Sequence, residues 1–107
     1  MDEWHEIADV DPTSAEFPLA AEVDGEPLVI FKTGDTFSGV QRFCPHQEAD
    51  FLTKGKLTAA NRMIRCQLHG YVFKLADGRG AGSSRARVTV YDVDADGGTL
   101  KVKRKAE

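Results

Sequence analysis

The sequence predicts an all-β domain with Greek-key or barrel-like packing. Turn-forming Pro, Gly and Asp residues recur roughly every eight to twelve positions, which is typical of a series of short strands. No segment carries apolar residues with a helical period over three turns, so no long amphipathic helix is expected. The chain has 107 residues, and this length predicts a single domain that spans 1–107.

The first predicted strands form a hairpin. Residues 17–23 and 26–32 flank Asp24-Gly25, a dipeptide that favours the two-residue turns of β-hairpins. The second strand contains four consecutive apolar residues, from Leu28 to Phe31.

Three further segments complete the predicted strands. Residues 36–43 alternate partly, whereas residues 87–93 and 99–103 alternate apolar and polar side chains with a period of two. The last two segments are expected to pair as a C-terminal hairpin. Residues 78–84 are rich in Gly and Ser, and we expect them to form a mobile surface loop.

Composition and charge exclude several classes of function. The formal net charge is −3, whereas a general nucleic-acid binder is normally basic. The longest apolar runs are only a few residues, and the acidic start lacks the features of a signal peptide. We therefore expect no membrane segment and a cytoplasmic location. Residues 1–26 carry nine acids and no Lys or Arg, which predicts either a solvated surface or an acidic face for partner docking.

Two short motifs contain both cysteines and two of the three histidines. Cys44 is followed by His46, and Cys66 is followed by His69, whereas His5 lies far from both pairs. Each motif therefore offers one thiolate and one imidazole within a single turn. Such a set can bind a metal or a metal cluster.

Four interpretations of these motifs compete. A structural zinc ion accepts two thiolates and two imidazoles, although zinc fingers usually pair Cys with Cys and His with His. A disulfide between Cys44 and Cys66 leaves both histidines unexplained, and a nucleophilic Cys–His dyad needs only one pair. A [2Fe–2S] cluster with both thiolates on one iron and both imidazoles on the other accounts for the mixed pairs, and we favour it.

The two motifs resemble those of Rieske-type ferredoxins. That family has Cys-x-His, a spacer (here residues 47–65) and Cys-x-x-His-Gly, which Gly70 completes. Residues 44–52 look most similar to the ferredoxins of bacterial oxygenase systems, including those of toluene-type diiron monooxygenases. The resemblance implies three small antiparallel sheets and a cluster-binding subdomain of about 40–82, inserted in a base domain of 1–39 and 83–107.

Departures from the motif point to the low-potential branch of that family. In high-potential Rieske proteins, two extra cysteines form a disulfide between the cluster loops, and here Ala49 and Leu68 stand at those positions. Those proteins also place a Ser and a Tyr where this chain has Tyr71 and Phe73. Fewer hydrogen-bond donors to the cluster sulfurs favour a low reduction potential.

The resemblance implies an electron carrier, not an enzyme, with Cys44, His46, Cys66 and His69 as cluster ligands. Such a monomeric carrier takes electrons from a flavin reductase to a ring-hydroxylating dioxygenase or a diiron monooxygenase, in aromatic hydrocarbon catabolism. Docking is expected around the two histidines, at Pro45, Gln47, Glu48, Leu68 and Tyr71. Two alternatives remain open, namely a Rieske small subunit of a larger oxidoreductase, such as a nitrite-reductase-like enzyme, and a structural Cys2His2 zinc module.

Overall fold

The described residues form nine short strands and one short helix. The computed structural model describes residues 3–7, 10–11, 15–34, 36–44, 49–58, 62–67, 71–80, 86–95 and 98–105. In chain order, its elements are β1 (His5–Ile7), β2 (Leu19–Val23), β3 (Glu26–Thr33), β4 (Thr36–Gln41), α1 (Phe51–Lys54), β5 (Gly55–Thr58), β6 (Met63–Cys66), β7 (Val72–Lys74), β8 (Val90–Asp94) and β9 (Leu100–Arg104).

Within these ranges the strands form two antiparallel sheets. The large sheet has the order β1-β9-β8-β4-β3-β2, and the small sheet has the order β5-β6-β7. The large sheet curls, since its edge strands β1 and β2 contact each other and His5 Nε2 lies 3.6 Å from Asp24 Oδ2. The predicted all-β class with barrel-like packing is therefore confirmed. Among the described elements, no helix has the length and apolar character that a membrane span requires.

Local turn chemistry explains the first hairpin, which is confirmed. Val23 of β2 pairs with Glu26 of β3, so only Asp24 and Gly25 form the turn. Their φ angles are 54° and 75°, the left-handed values that a type I′ turn requires. The predicted C-terminal hairpin is also present, and β9 pairs with both β8 and β1.

Two hydrophobic cores lie on opposite faces of β3. Leu28 and Ile30 belong to the sheet core, whereas Val29 and Phe31 belong to the site core, so this strand is buried on both faces. The sheet core consists of Val23, Leu28, Ile30, Tyr91, Leu100 and Val102. The site core consists of Val29, Phe31, Val40, Cys44, Ala49, Phe51, Ile64, Cys66, Phe73, Leu75, Val88 and Val90.

The number of sheets differs from the expectation of three. The described strands form two sheets because β4 pairs with both β3 and β8, which joins two groups of three strands into one. The contact between β4 and β8 is close, since a Cβ at Gly39 would lie 3.0 Å from the Cβ of Tyr91. A larger residue at this position would require Tyr91 or Val93 to shift.

Part of the predicted mobile loop is held in place. Gly78 is buried at φ +79°, its N–H donates to the Lys74 carbonyl (2.7 Å), and its carbonyl accepts the N–H of Val88 (2.8 Å). Arg79 and Gly80 also form isolated β-bridges. The expectation of a mobile loop was therefore wrong for residues 78–80, because backbone hydrogen bonds fix them. Residues 81–85 lie outside the described part of the chain.

Candidate metal centre

Cys44 lies where the chain leaves the large sheet. Its backbone N–H donates to the Ala49 carbonyl over 2.8 Å, and Phe43 forms an isolated antiparallel bridge with Asp50. The residues on either side of 45–48 are therefore hydrogen-bonded to each other. Gln41 fixes this point, since its side chain donates to the Phe43 carbonyl (2.6 Å) and accepts from the N–H of Thr89 (2.7 Å).

Cys66 occupies an equivalent place in the small sheet. It is the last residue of β6, and its N–H donates to the Tyr71 carbonyl over 2.8 Å. Each cysteine thus bonds to the carbonyl of the fifth residue after it. The two motifs therefore share this backbone hydrogen bond, although the histidine follows the cysteine by two residues in the first motif and by three in the second.

Helix α1 connects the two motifs. It begins directly after Asp50, whose side chain accepts the N–H of Leu52 over 2.9 Å as an N-cap. At its other end, the carbonyl of Lys54 accepts the N–H of Gln67 over 2.7 Å. The next residue, Gly55, pairs with Cys66 across the small sheet. The helix therefore fixes the second cysteine relative to the first motif.

The burial of the cysteines fits a metal cluster. The exposed fraction is 1% for Cys44 and 0% for Cys66; both belong to the site core, and neither forms a disulfide. A thiolate is costly to bury among apolar side chains unless it binds a metal or a positive charge. Two buried thiols whose backbones form matching hydrogen bonds are therefore suited to hold iron.

The structure places some of the predicted site residues and leaves others outside its described ranges. Cys44 and Cys66 lie as given above, and Tyr71 is partly buried against the site core. The part of the chain that the structure describes contains no group of three or more metal-binding side chains. The remaining predicted residues lie outside it, and they are Pro45, His46, Gln47, Glu48, Leu68 and His69.

Phe73 is part of the core beneath the motifs. Its ring is fully buried and packs against Phe51 in a T-shaped contact with ring centroids 6.4 Å apart. Phe73 stands where high-potential relatives are expected to have a hydroxyl donor, and here the side chain packs in the apolar core. Ala49, at one of the positions of the expected disulfide, is also buried in this core.

An ion pair between Arg42 and Asp50 was not predicted from the sequence. Arg42 Nε lies 3.1 and 3.2 Å from the two carboxylate oxygens of Asp50, and Nη2 lies 2.9 Å from Oδ2. Hydrogen bonding to Arg42 lowers the pKa of Asp50, and the same bond raises the pKa of Arg42. Two opposite charges eight positions apart match neither a helical nor a strand period, so the sequence alone does not indicate that they pair.

Phe43 is an exposed aromatic residue directly before Cys44. Its exposed fraction is 42%, and the guanidinium carbon of Arg42 lies 5.4 Å from its ring centroid. Phe43 also lines a shallow cavity of about 250 Å³ together with Pro27, Thr89 and Tyr91. An exposed aromatic ring beside a metal site is an available contact for a partner.

Comparisons with known proteins decide the family. A family profile described as the Rieske [2Fe-2S] domain matches residues 3–92. The chain belongs to the Rieske [2Fe–2S] domain family. A comparison with curated protein sequences gave no match.

Several solved structures share this Rieske fold. The ferredoxin of carbazole 1,9a-dioxygenase from Nocardioides aromaticivorans IC177 is 27% identical with a TM-score of 0.75, and the match covers 95% of this chain and 98% of that one. A chain of the complex of reduced oxygenase and oxidized ferredoxin in carbazole 1,9a-dioxygenase is 24% identical (TM-score 0.71, 97% of each chain). The terminal oxygenase from Nocardioides aromaticivorans IC177 is 22% identical (TM-score 0.76), with 99% of this chain and 31% of that one covered. The last two show the shared fold alone.

Family membership confirms several sequence-based predictions. The Rieske domain binds a [2Fe–2S] cluster, so the predicted family, fold and cofactor are confirmed. The same match excludes the zinc-module interpretation. The assignment of the four individual ligands stays a prediction, because two of them lie outside the described residues.

Proposed function

We propose that this Rieske protein carries single electrons from a flavin reductase to an oxygenase, and that it performs no chemistry on the final substrate. The observation that carries the proposal is the match to a dioxygenase ferredoxin, which spans 95% of this chain and 98% of that ferredoxin. In contrast, the match to the terminal oxygenase covers only 31% of that chain. The Rieske protein thus corresponds to a whole ferredoxin and to about a third of an oxygenase.

The cluster ligands in this proposal are Cys44 and Cys66 on one iron, and His46 and His69 on the other. When bound, the cluster supplies reversible one-electron redox chemistry. The protein holds the two thiolates in the site core, where Phe51 and Phe73 exclude water. Four protein ligands complete the coordination of both irons, so no open position remains for a substrate.

The proposed contact surface surrounds the two histidines. It comprises the predicted residues Pro45, Gln47, Glu48, Leu68 and Tyr71, and we add the exposed ring of Phe43. In one matched structure, an oxidized ferredoxin is bound to a reduced oxygenase, and we extend that type of partner to this chain. A small contact surface suits a carrier that must bind and leave two partners in turn.

The proposal includes an aromatic-ring dioxygenase or a diiron monooxygenase as the acceptor, and a monomeric carrier in the cytoplasm. The choice of acceptor is supported by the match to a dioxygenase ferredoxin. The monomeric state and the cytoplasmic location stay predictions from the sequence.

A second candidate is a Rieske subunit that stays bound to a larger oxidoreductase. The observation that favours it is the match of 99% of this chain to one part of a terminal oxygenase, since the same fold also works inside a larger enzyme. That match shows the fold alone, so the carrier is the preferred function.

Anaerobic redox titration combined with size-exclusion chromatography of native extract tests the proposal. We expect the holoprotein to accept one electron per chain from dithionite and to pass it to oxidised cytochrome c. We also expect it to elute as a monomer. Elution with a larger partner at all protein concentrations would favour the bound subunit, and failure to accept an electron would contradict both functions.

A further inference from the structure

Arg42 and Asp50 stand on either side of the first cysteine motif. Arg42 lies two positions before Cys44, and Asp50 lies six positions after it. The guanidinium contacts both carboxylate oxygens, at 2.9 Å for the shortest bond. A second bond joins the same two segments, because the Arg42 carbonyl accepts the N–H of Phe51 over 2.7 Å. The start and the end of the motif are therefore tied by both side chain and backbone.

Asp50 also fixes the start of α1. Its Oδ1 accepts the N–H of Leu52 over 2.9 Å, and its carbonyl accepts the N–H of Lys54 over 2.8 Å. One carboxylate thus binds Arg42 and caps the helix at once. The orientation of α1 therefore depends on the ion pair.

The end of α1 reaches the second motif. The Lys54 carbonyl accepts the N–H of Gln67, the residue after Cys66. Packing at the junction is tight, because a Cβ at Gly55 would lie 2.7 Å from the Phe51 carbonyl oxygen. A shift at the start of α1 would therefore be transmitted to Gln67 and Cys66.

We propose that Arg42 and Asp50 are positioning residues that set the distance between the two cysteine motifs through α1. This inference rests on the proposed role of Cys44 and Cys66 as cluster ligands. The side chains of Arg42 and Asp50 are 33% and 27% exposed, so solvent screens the pair in part, and its contacts join the two ends of the first motif to the start of α1. The effect of the pair therefore falls on the geometry of the cluster site and not on the fold as a whole.

Three substitutions separate charge from helix capping. Asp50→Asn keeps an N-cap oxygen for Leu52 but loses the ionic bond, because Asn caps helices as well as Asp does. Arg42→Gln removes the guanidinium, whereas Arg42→Lys keeps the charge and loses the two-pronged geometry. The matched control is Glu26→Gln, since Glu26 forms an ion pair of similar exposure with Arg104 in the large sheet. Glu26 lines the same cavity as Arg42, so this variant removes a nearby charge and leaves the Arg42–Asp50 pair intact.

The measurements are the rate of iron release to a chelator and the paramagnetic spectrum of the reduced holoprotein. We expect Asp50→Asn and Arg42→Gln to release iron about tenfold faster, a typical effect of residues that orient metal ligands. Their spectra should broaden or shift, Arg42→Lys should be intermediate, and Glu26→Gln should match the wild type. The double variant Arg42→Gln/Asp50→Asn should release iron no faster than either single variant.

Unfolding of each variant by denaturant shows whether the effect is local. A midpoint equal to that of Glu26→Gln, together with faster iron release, supports the proposal. Wild-type release rates and spectra in Asp50→Asn and Arg42→Gln would overturn it. An equal loss of iron in Glu26→Gln, or a lower midpoint that accounts for the faster release, would also overturn it. None of these measurements uses a redox partner, so failure of electron transfer to a partner would contradict only the proposed function.

Discussion

The large sheet and the region around the cysteine motifs are stabilised in different ways. β3 has eight residues and pairs along most of its length with β2 and β4, whereas β6 has four residues and β7 has three. Among the described residues, the motifs are closed by a few backbone bonds, including those of Cys44, Cys66 and the Arg42 carbonyl, and by the Arg42–Asp50 pair. We therefore expect strand pairing to form the large sheet by itself and the site region to gain much of its order from the bound cluster.

Loss of one thiolate should have the largest effect of the changes considered, and it should affect the site region but not the large sheet. We expect Cys66→Ala to abolish the visible absorption and the paramagnetic signal of the cluster, because the iron loses a ligand. Backbone hydrogen exchange should rise within residues 40–82, whereas Val90 to Val102 should stay protected.

The control for this prediction is Val102→Ala in the sheet core. Val102 is also fully buried, so its truncation should lower the free energy of unfolding by about 2 kcal/mol and leave the cluster in place. Equal exchange in holoprotein and Cys66→Ala over residues 40–82 would contradict the difference between the regions.

A glycine pair tests the connection between the regions. A Cβ at Gly78 would lie 1.9 Å from the carbonyl oxygen of Val88, whereas a Cβ at Gly98 would meet nothing within 4 Å. The φ angles are nearly equal, at 79° and 78°, so both alanines are strained alike. We expect Gly98→Ala to cost about 1 kcal/mol of stability and Gly78→Ala about 3 kcal/mol or more.

Denaturant unfolding followed by circular dichroism measures this difference. Equal costs for Gly78→Ala and Gly98→Ala would show that the backbone at Val88 can move away. The turn at Gly78 would then not fix the small sheet against the segment that leads into β8.

The large sheet should show its own dependence on pH through Tyr91. This buried hydroxyl donates to Glu26 over 3.1 Å, and burial together with the nearby carboxylate raises the pKa of Tyr91 above its usual value. Above about pH 10 the unfolded chain loses this proton and the folded chain keeps it, so stability falls as the pH rises.

Tyr91→Phe removes both the proton and the hydrogen bond. We expect it to cost about 1 kcal/mol at neutral pH and to flatten the alkaline loss of stability. Unfolding midpoints from about pH 7 to about pH 11 measure this profile. The same alkaline loss in the phenylalanine variant would assign the effect to another group.

The reduction potential should reflect the apolar packing beneath the motifs. Phe73 has no hydroxyl and packs against Phe51, so we expect a midpoint in the lower part of the range of about −150 to +300 mV. The potential should stay nearly flat around neutral pH and fall in alkaline solution, when His46 and His69 lose their outer protons. Voltammetry checks both statements, and a midpoint well above zero at neutral pH would show that other donors dominate.

How much the sequence predicts also differs between the two regions. The hairpin at Asp24-Gly25 was predicted because its turn conformation depends on local residues, whereas the burial of both faces of β3 depends on which elements pack against each face. Helix α1 was missed because it has four residues, too few for a helical period, and depends on its cap at Asp50.

In the site region, the chemistry was predicted better than the structure. Residue types and spacing indicated a Rieske cluster, and family membership is confirmed, whereas the assignment of Cys44 and Cys66 as ligands stays a prediction. Strands β5 and β6 were not predicted, because each has only four residues, too few for a clear alternation of apolar and polar side chains. The Arg42–Asp50 pair depends on how the chain returns from the first motif, which no local pattern encodes.

Nitrogen coupling to the reduced cluster tests the central claim most directly. The chain has three histidines, and we expect labelling with ¹⁵N-histidine to alter the pulsed paramagnetic resonance spectrum through His46 and His69 only. The spectrum of His5→Gln should match the labelled wild type, because His5 lies in β1 of the large sheet. A cluster without histidine nitrogen coupling, or one whose coupling disappears in His5→Gln, would contradict the account of a Rieske centre held by Cys44, His46, Cys66 and His69.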